Sequence, residues 1–452
     1  MNCRPFQYID YVNESIYIDE EFPFFCFMES RIKNIHLGNN IETIPPFAFA
    51  YSYVETINLE NIKIVSSDAF YQCMNLLEIT FSEKLEFIGP LAFDRCENLE
   101  SIRINSQRII DVGYRVFENC LKLNVANIVS LMSDIPNECF RYCRGATIPI
   151  VTSSLCRIIG NKSFKECNGS IILNEGLEVI SDRAFEGSLF SSIIIPSTVK
   201  YIGVESLQYC RELETIEIPS SVSYIGEKCF RQCENLKSAV MGKNITFLPG
   251  NVFDGCYSLS NITFLGKIIH FEYCCFLSTN IKSFKLPTNS ITKYGLFAGV
   301  DLKFLDVGDN SVVCIEDIQS SALNMILGNN VTITISDLTN IEQINVFYKG
   351  NAKYDSEVDQ SLYYLLNLTN KSKIYVTSRY RSCTFCGIEV IHTNFNPFET
   401  QISSFHRLQR HLREVEIPSK QCDLNAYVTR YIAYFVRKAQ QLIISLSLCP
   451  SR

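Results

Sequence analysis

Cysteine dominates the reactive side chains of this sequence, with 20 among 452 residues. Cys383-Thr-Phe-Cys386 is a C-x-x-C. That spacing lets one thiolate attack a disulfide while the second resolves it, or supplies half of a zinc site. Redox use needs a thioredoxin-like strand–helix–strand context, and zinc needs a second pair; neither is visible around these residues. His406 and His411 lie five apart among Arg407, Arg410 and Arg413. A helical metal pair prefers a spacing of four with a further ligand, so this reads as a solvated basic face. Glu20-Glu21 lies in a polar edge. No G-x-S-x-G, phosphate-cradling glycine loop or H-E-x-x-H is present. The expectation is a non-enzymatic chain with no catalytic residues, no cofactor and no metal.

Modification signals are equally thin. Eight Asn-x-Ser/Thr sequons, from Asn13 to Asn370, are a chance number for so Asn-rich a chain. The final Cys449-Pro-Ser-Arg452 departs from a prenylation box at Pro450 and at the terminal Arg.

Composition narrows the partner class. The net charge is −7, with Lys+Arg 41 against Asp+Glu 48, so no basic excess exists to neutralise a phosphate backbone. Nucleic acid is excluded as the expected partner. No stretch of ~18 apolar residues suggests a transmembrane segment. The segment from Ala426 to Leu448 comes nearest but carries Arg430, Arg437, Lys438, Gln440 and Gln441. The first residues lack the apolar run of a secretory leader. On these signals, and on a thiol-rich core that favours a reducing compartment, the expected location is cytoplasmic.

Stepping from single residues to elements, a phrase repeats. Ile-Gly-x-x-Ala-Phe-x-x-Cys-x-x-Leu stands in full from Ile88 to Leu99, and recurs with Cys for Ala from Ile225 to Leu236. Its aromatic anchor falls at Phe49, Phe70, Phe93, Phe117, Phe140, Phe164, Phe185, Leu207, Phe230, Phe253, Phe276 and Phe297, at gaps of 21 to 24 residues. One half of each unit alternates, as in Leu213-Glu-Thr-Ile216-Glu-Ile218, which predicts a short strand with one buried face. The other half, Ile-Gly-x-x-Ala-Phe, predicts a turn and a compact helical or 3₁₀ segment, with the Gly supplying an unusual φ. A single unit cannot bury its own apolar face, so stacked units must share a core.

The period also accounts for eleven cysteines. Cys73, Cys96, Cys120, Cys143, Cys167, Cys210, Cys233 and Cys256 stand three residues after the anchor, and Cys139, Cys229 and Cys275 take the Ala slot. Ser188 fills the first slot once. A position shared by Cys, Ala and Ser wants a small side chain, so these thiols are expected to be buried and structural.

These residues resemble the BspA-type leucine-rich repeat, the ~23-residue variant with an Ala-Phe-x-x-Cys centre. The match is regular from about Ile32 to Val307. The resemblance implies an α/β or mainly β repeat solenoid, a right-handed curved array with one short parallel strand per repeat. Members of this family are surface antigens, adhesins and receptor-like proteins of oral bacteria and anaerobic protists. That implies cell adhesion or binding of a host or self protein partner, and a cell-surface place as the counterpart to the cytoplasmic reading. An intracellular scaffold or effector is the alternative. The expected organisation is an N-terminal cap (1–31), regular repeats (32–307), degenerate repeats (308–420) and a C-terminal amphipathic helical cap (421–452). Val428, Ile432, Phe435, Ala439, Leu442 and Leu446 form the apolar stripe of that cap.

A solenoid binds on the surface of adjacent strands. The residue between two buried positions of each strand points outward. That row is His36, Asn58, Thr80, Arg103, Asn127, Pro149, Ile172, Ile194, Glu217, Val240, Thr263, Lys285 and Asp306. Its apolar middle, Pro149, Ile172 and Ile194, flanked by Arg103 and Glu217, is the expected partner-binding site.

Overall fold

In the computed structural model, the described residues are 15–105, 108–336, 341–351 and 372–394, with Tyr363, Leu366 and Pro397. They belong to one compact unit, Met1–Ile402. They form a solenoid in which strands of successive rungs pair in parallel. The one antiparallel pairing among them is the hairpin of Thr384–Phe385 with Ile388–Thr393.

Each rung has three hydrogen-bonded sides. The first carries the expected strands, such as Asn34–Leu37, Glu78–Phe81, Ser101–Ile104 and Ser238–Met241, with alternate residues buried. The second is a set of two-residue strands that the sequence reading did not separate from the turn. Ile64–Val65, Phe87–Ile88, Tyr201–Ile202 and Phe247–Leu248 are examples, each with its second residue buried. A regular rung therefore carries two parallel strands, correcting the expectation of one.

The third side holds the anchors, and it is neither helical nor 3₁₀. Residues two before and two after each anchor adopt left-handed backbone, as at Asp68 and Gln72 around Phe70 and Lys228 and Gln232 around Phe230. Alternating hands aim every second N–H along the solenoid axis. The N–H of Phe49 donates to Ala69 O at 2.8 Å, and that of Phe70 to Ala92 O at 2.8 Å. The intervening N–H groups close turns within the rung, as from Cys73 to Phe70 O at 3.1 Å. The strain of the left-handed residues is thus offset by a full set of backbone bonds.

The repeat glycine sits elsewhere than expected from φ. Gly89 and Gly226 are not left-handed. A Cβ on Gly226 would lie 2.3 Å from Val204 N, and one on Gly89 2.6 Å from Ser67 N. At these two rungs the backbone of the preceding rung presses against the slot, while Ser66 and Ser181 fill the same slot in others, so the demand for glycine is not absolute.

The anchors fill the core. Phe49 through Phe185 stack ring on ring, with centroids 5.2 Å apart for Phe49–Phe70 and 5.0 Å for Phe70–Phe93. Leu207 interrupts the stack, and Phe190 meets Phe185 edge-on. The stack resumes at Phe230–Phe253. It also begins one rung earlier than the sequence reading placed it: Phe27 stacks on Phe49 at 5.3 Å. Each buried ring contributes about 1.5–3 kcal/mol over its exposed state.

Two irregularities matter for the binding face. A single helical turn, Ala126–Val129, stands where the next strand is expected, so Asn127 is exposed on a helix rather than on the sheet. After residue 312 the second-side strands lengthen, as in Val312–Glu316. The proposed C-terminal helical cap, His406 and His411, and Cys449 lie outside the described residues.

Candidate partner-binding face

The outward row of the first side begins with Tyr17 stacked on His36 at 4.8 Å. The next member, Asn58, is spent on the backbone. Its Oδ1 accepts the Leu37 N–H at 2.7 Å and its Nδ2 donates to Leu37 O at 3.2 Å, clamping two rungs together. Arg103 is exposed and pairs with exposed Glu78 at 3.4 Å. In water such a pair contributes ~0–1 kcal/mol, so the guanidinium stays available at little cost. The helical turn then separates Arg103 from the rest of the row.

The apolar middle survives with one replacement. Ile150–Val151 pairs with Ile171–Ile172, Ile150 opposite Ile171 and Val151 opposite Ile172. Val151, and not Pro149, is therefore the row neighbour of Ile172. Pro149 is exposed just before the strand. With Pro149 outward, Ile148 and Ile150 are the expected buried pair. Ile148 is in fact 50% exposed, and the inward partner of Ile150 is Thr152, at 1%. A buried threonine is tolerated because its hydroxyl accepts the Asn174 N–H at 2.9 Å. No apolar periodicity could have announced it.

Ile172 is half-buried between buried Ile171 and Leu173. Ile194 stands 58% exposed between buried Ile193 and Ile195. Glu217 is exposed on the following rung, opposite Val240. Pairing thus sets Val151 beside Ile172, and leaves Pro149 beside the row and Arg103 beyond the interruption. Ile194 and Glu217 hold the equivalent repeat position on the next two rungs, where residues 192–195 form no strand.

Farther along, Thr263 is buried at 2% rather than exposed. Lys285 and Lys349 flank Asp306, at 3.9 Å and 2.9 Å. The row then turns apolar in a way not read from the sequence. Ile326 pairs opposite Asp306 and Phe347 opposite Ile326; both are buried, in a small cluster apart from the main core.

The thiols are built for packing. Each cysteine three residues after an anchor donates its S–H to the anchor carbonyl of the preceding rung: Cys73 to Phe49 O at 3.0 Å, Cys143 to Phe117 O at 3.1 Å, Cys256 to Phe230 O at 3.0 Å. Ser188 makes the same bond to Phe164 O at 2.6 Å. The slot therefore selects a donor as well as a small volume. Burial pushes the Cys229 thiol up to about 12 and drives Cys96, Cys120 and Cys143 well above the usual thiol range. They stay protonated and are not nucleophiles. The C-x-x-C forms a tight hairpin, with exposed Cys383 before one strand and Cys386 in the left-handed turn. A thioredoxin-like motif instead opens a helix. Among the described residues, no cluster of three or more His, Cys, Asp or Glu is arranged to hold a metal ion. No helix among them is long and apolar enough to cross a membrane.

A family profile described as the BspA type leucine-rich repeat region matches in six copies. The matched stretches are residues 20–147, 133–259, 206–325 and 244–353, which together span 20 to 353. No curated protein matches the sequence. Similar solved structures include a leucine-rich cell surface protein from Faecalibacterium prausnitzii A2-165, at 17% identity over 62% of this chain and 84% of that one, TM-score 0.35. A leucine-rich repeat protein from Bacteroides ovatus is similar at 16% identity over 74% and 88%, TM-score 0.39. The pneumococcal vaccine antigen PcpA is similar at 16% over 84% and 83%, TM-score 0.32. At these TM-scores the likenesses carry no argument about the geometry of the face. The expected cytoplasmic location is corrected, because the comparisons do not support it: the similar proteins include one described as a cell surface protein and one as a vaccine antigen, descriptions that belong to those proteins. The repeat-slot thiols do not oppose this, because they are buried and protonated and so resist exchange.

Proposed function

This chain belongs to the BspA-type leucine-rich-repeat family, and from that premise we propose that it is an adhesin-like protein that binds a protein partner on the first-side strand face. It is a non-enzymatic repeat solenoid whose side chains serve the core and the surface. The observation that carries the proposed site is the row of Val151, Ile172 and Ile194, apolar on successive rungs and bounded by exposed Glu217. Contiguous apolar patches with polar rims mark contact surfaces. Arg103 supplies a second polar contact across the helical turn, and Pro149 a rigid edge beside Val151. The family's surface-antigen character supports display at the cell surface, facing a host or self protein. The division into a capping segment, regular repeats, irregular repeats and a terminal helix belongs to the same proposal.

The test is Ile172→Asp with Ile194→Asp in the full chain. Burying two carboxylates in a contact should weaken partner binding by at least ~30-fold. Ile194→Asp alone, at an exposed position, should weaken binding with the thermal midpoint unchanged and so separates contact from folding. An unchanged affinity removes this face from the account.

A further inference from the structure

The second side carries a longer apolar row than the first. From residue 158 to residue 312 its outward position is Ile, Val, Tyr, Tyr, Phe, His, Ile and Val on eight successive rungs. Strand pairing sets these in register: Ile158, Val179, Tyr201 and Tyr224 in one segment, Phe247, His270, Ile291 and Val312 in the next. Tyr224 and Phe247 are each 45% exposed, Ile291 42% and Val312 43%. The inward residues of the same strands already fill the core, so packing does not require large apolar side chains facing out. We propose that this stripe is where two copies of the chain associate, side against side and antiparallel, about a two-fold axis between Tyr224 and Phe247.

Three observations select a second copy. The first is ring orientation. Tyr201 and Tyr224 stack at 4.8 Å with planes 5° apart, and Tyr273 and Tyr294 at 5.6 Å and 13°. Their faces are occupied by each other, so edges face outward. The paired tyrosines therefore offer a sugar ring no open platform, and Phe247 stands outside both stacks. A row of edges and aliphatic tips at the rung spacing instead interdigitates with another row of the same spacing, which a second copy supplies.

The second is charge. The flank beside the stripe carries Arg157, Glu178 and Lys200 at one end, ion-paired among themselves at 2.6 Å and 2.9 Å. At the other end the same flank presents only Ile269, since Ser290 and Ser311 are fully buried. An antiparallel two-fold sets the charged end of one copy against the neutral end of the other. On the opposite flank it brings the Asp182 position toward Tyr294 and that of Glu227 toward Gly250. No like charges meet. A parallel arrangement would lose this offset.

The third is area. Aromatic side chains bury ~150–250 Å² each when fully covered. At the observed exposures, eight rungs with their flanks offer roughly 600–800 Å² per copy, against about 800 Å² per partner for a stable interface. Homodimer interfaces are also the more apolar class.

Sedimentation of the full chain tests this. Run from about 1 to 100 µM chain, because buried area does not by itself set affinity, the unaltered protein should sediment at twice the chain mass as concentration rises. Tyr224→Lys with Phe247→Lys should weaken association at least ~30-fold and give monomer. Both positions are about half exposed, so the monomer should still unfold cooperatively, at a midpoint lowered only by the lost association. Ile172→Asp with Ile194→Asp should stay dimeric, which keeps this inference separate from the partner-binding face. A monomeric unaltered chain, or a dimer that survives the two lysines, overturns it.

Discussion

Three residues after each ring, one small side chain both fills a narrow slot and bonds the rung before it. Ser188 shows that oxygen serves as well as sulfur, since its hydroxyl bonds Phe164 O as the thiols bond their carbonyls. Cys143→Ser should therefore cost little, while Cys143→Ala should destabilise by about 1 kcal/mol, a modest bond and a methyl-sized void together. Equal losses in denaturant melts would show that only volume matters. Peptide-level thiol labelling of the native chain should modify exposed Cys383 and spare Cys96, Cys120 and Cys143 until unfolding. Asp94 is the residue with a pH signature. Burial, and next the charge of Glu118, raise its carboxyl to about 6 from 3.8. The folded state therefore holds a proton that the unfolded state has lost, and stability falls as pH rises from about 4 to 6. The full cost remains at neutral pH, about 1–3 kcal/mol. Asp94→Asn should stabilise the protein at pH 7 and make no difference near pH 3. A gain of equal size at both pH values would contradict this cause.

Among the elements, legibility followed apolar periodicity. The first-side strands and the ring anchors were readable because Ile and Phe recur at fixed offsets. The second-side strands were not, since two residues carry no period of their own. Pro149 was placed in the row because an apolar residue stands on each side of it, and Thr152 took the buried place through a hydrogen bond that pattern does not register. The repeat glycine was legible as a requirement but not as its reason. Gly226→Ala tests that reason. With Val204 N 2.3 Å from the new Cβ, the rungs must separate, at a cost of about 1–3 kcal/mol. Were φ the reason, Lys228, which is left-handed at 56°, would be the glycine. A neutral Gly226→Ala would discard the close-approach account.

For the molecule as a whole, the described rungs form a continuous core with two outward faces of different character. The first-side face has a short apolar centre between charged ends, suited to one partner. The second-side stripe runs over eight rungs and suits a second copy. Together they would give a bivalent adhesin-like particle, whose avidity exceeds that of either face alone. The central claim is partner binding on the first side, and hydrogen-exchange footprinting of the full chain with its bound partner tests it most directly. Protection should appear in residues 148–152, 170–174 and 192–195, with the anchor turns between them unchanged. Protection confined to the anchor turns, with those three stretches exchanging as in the free chain, would contradict it.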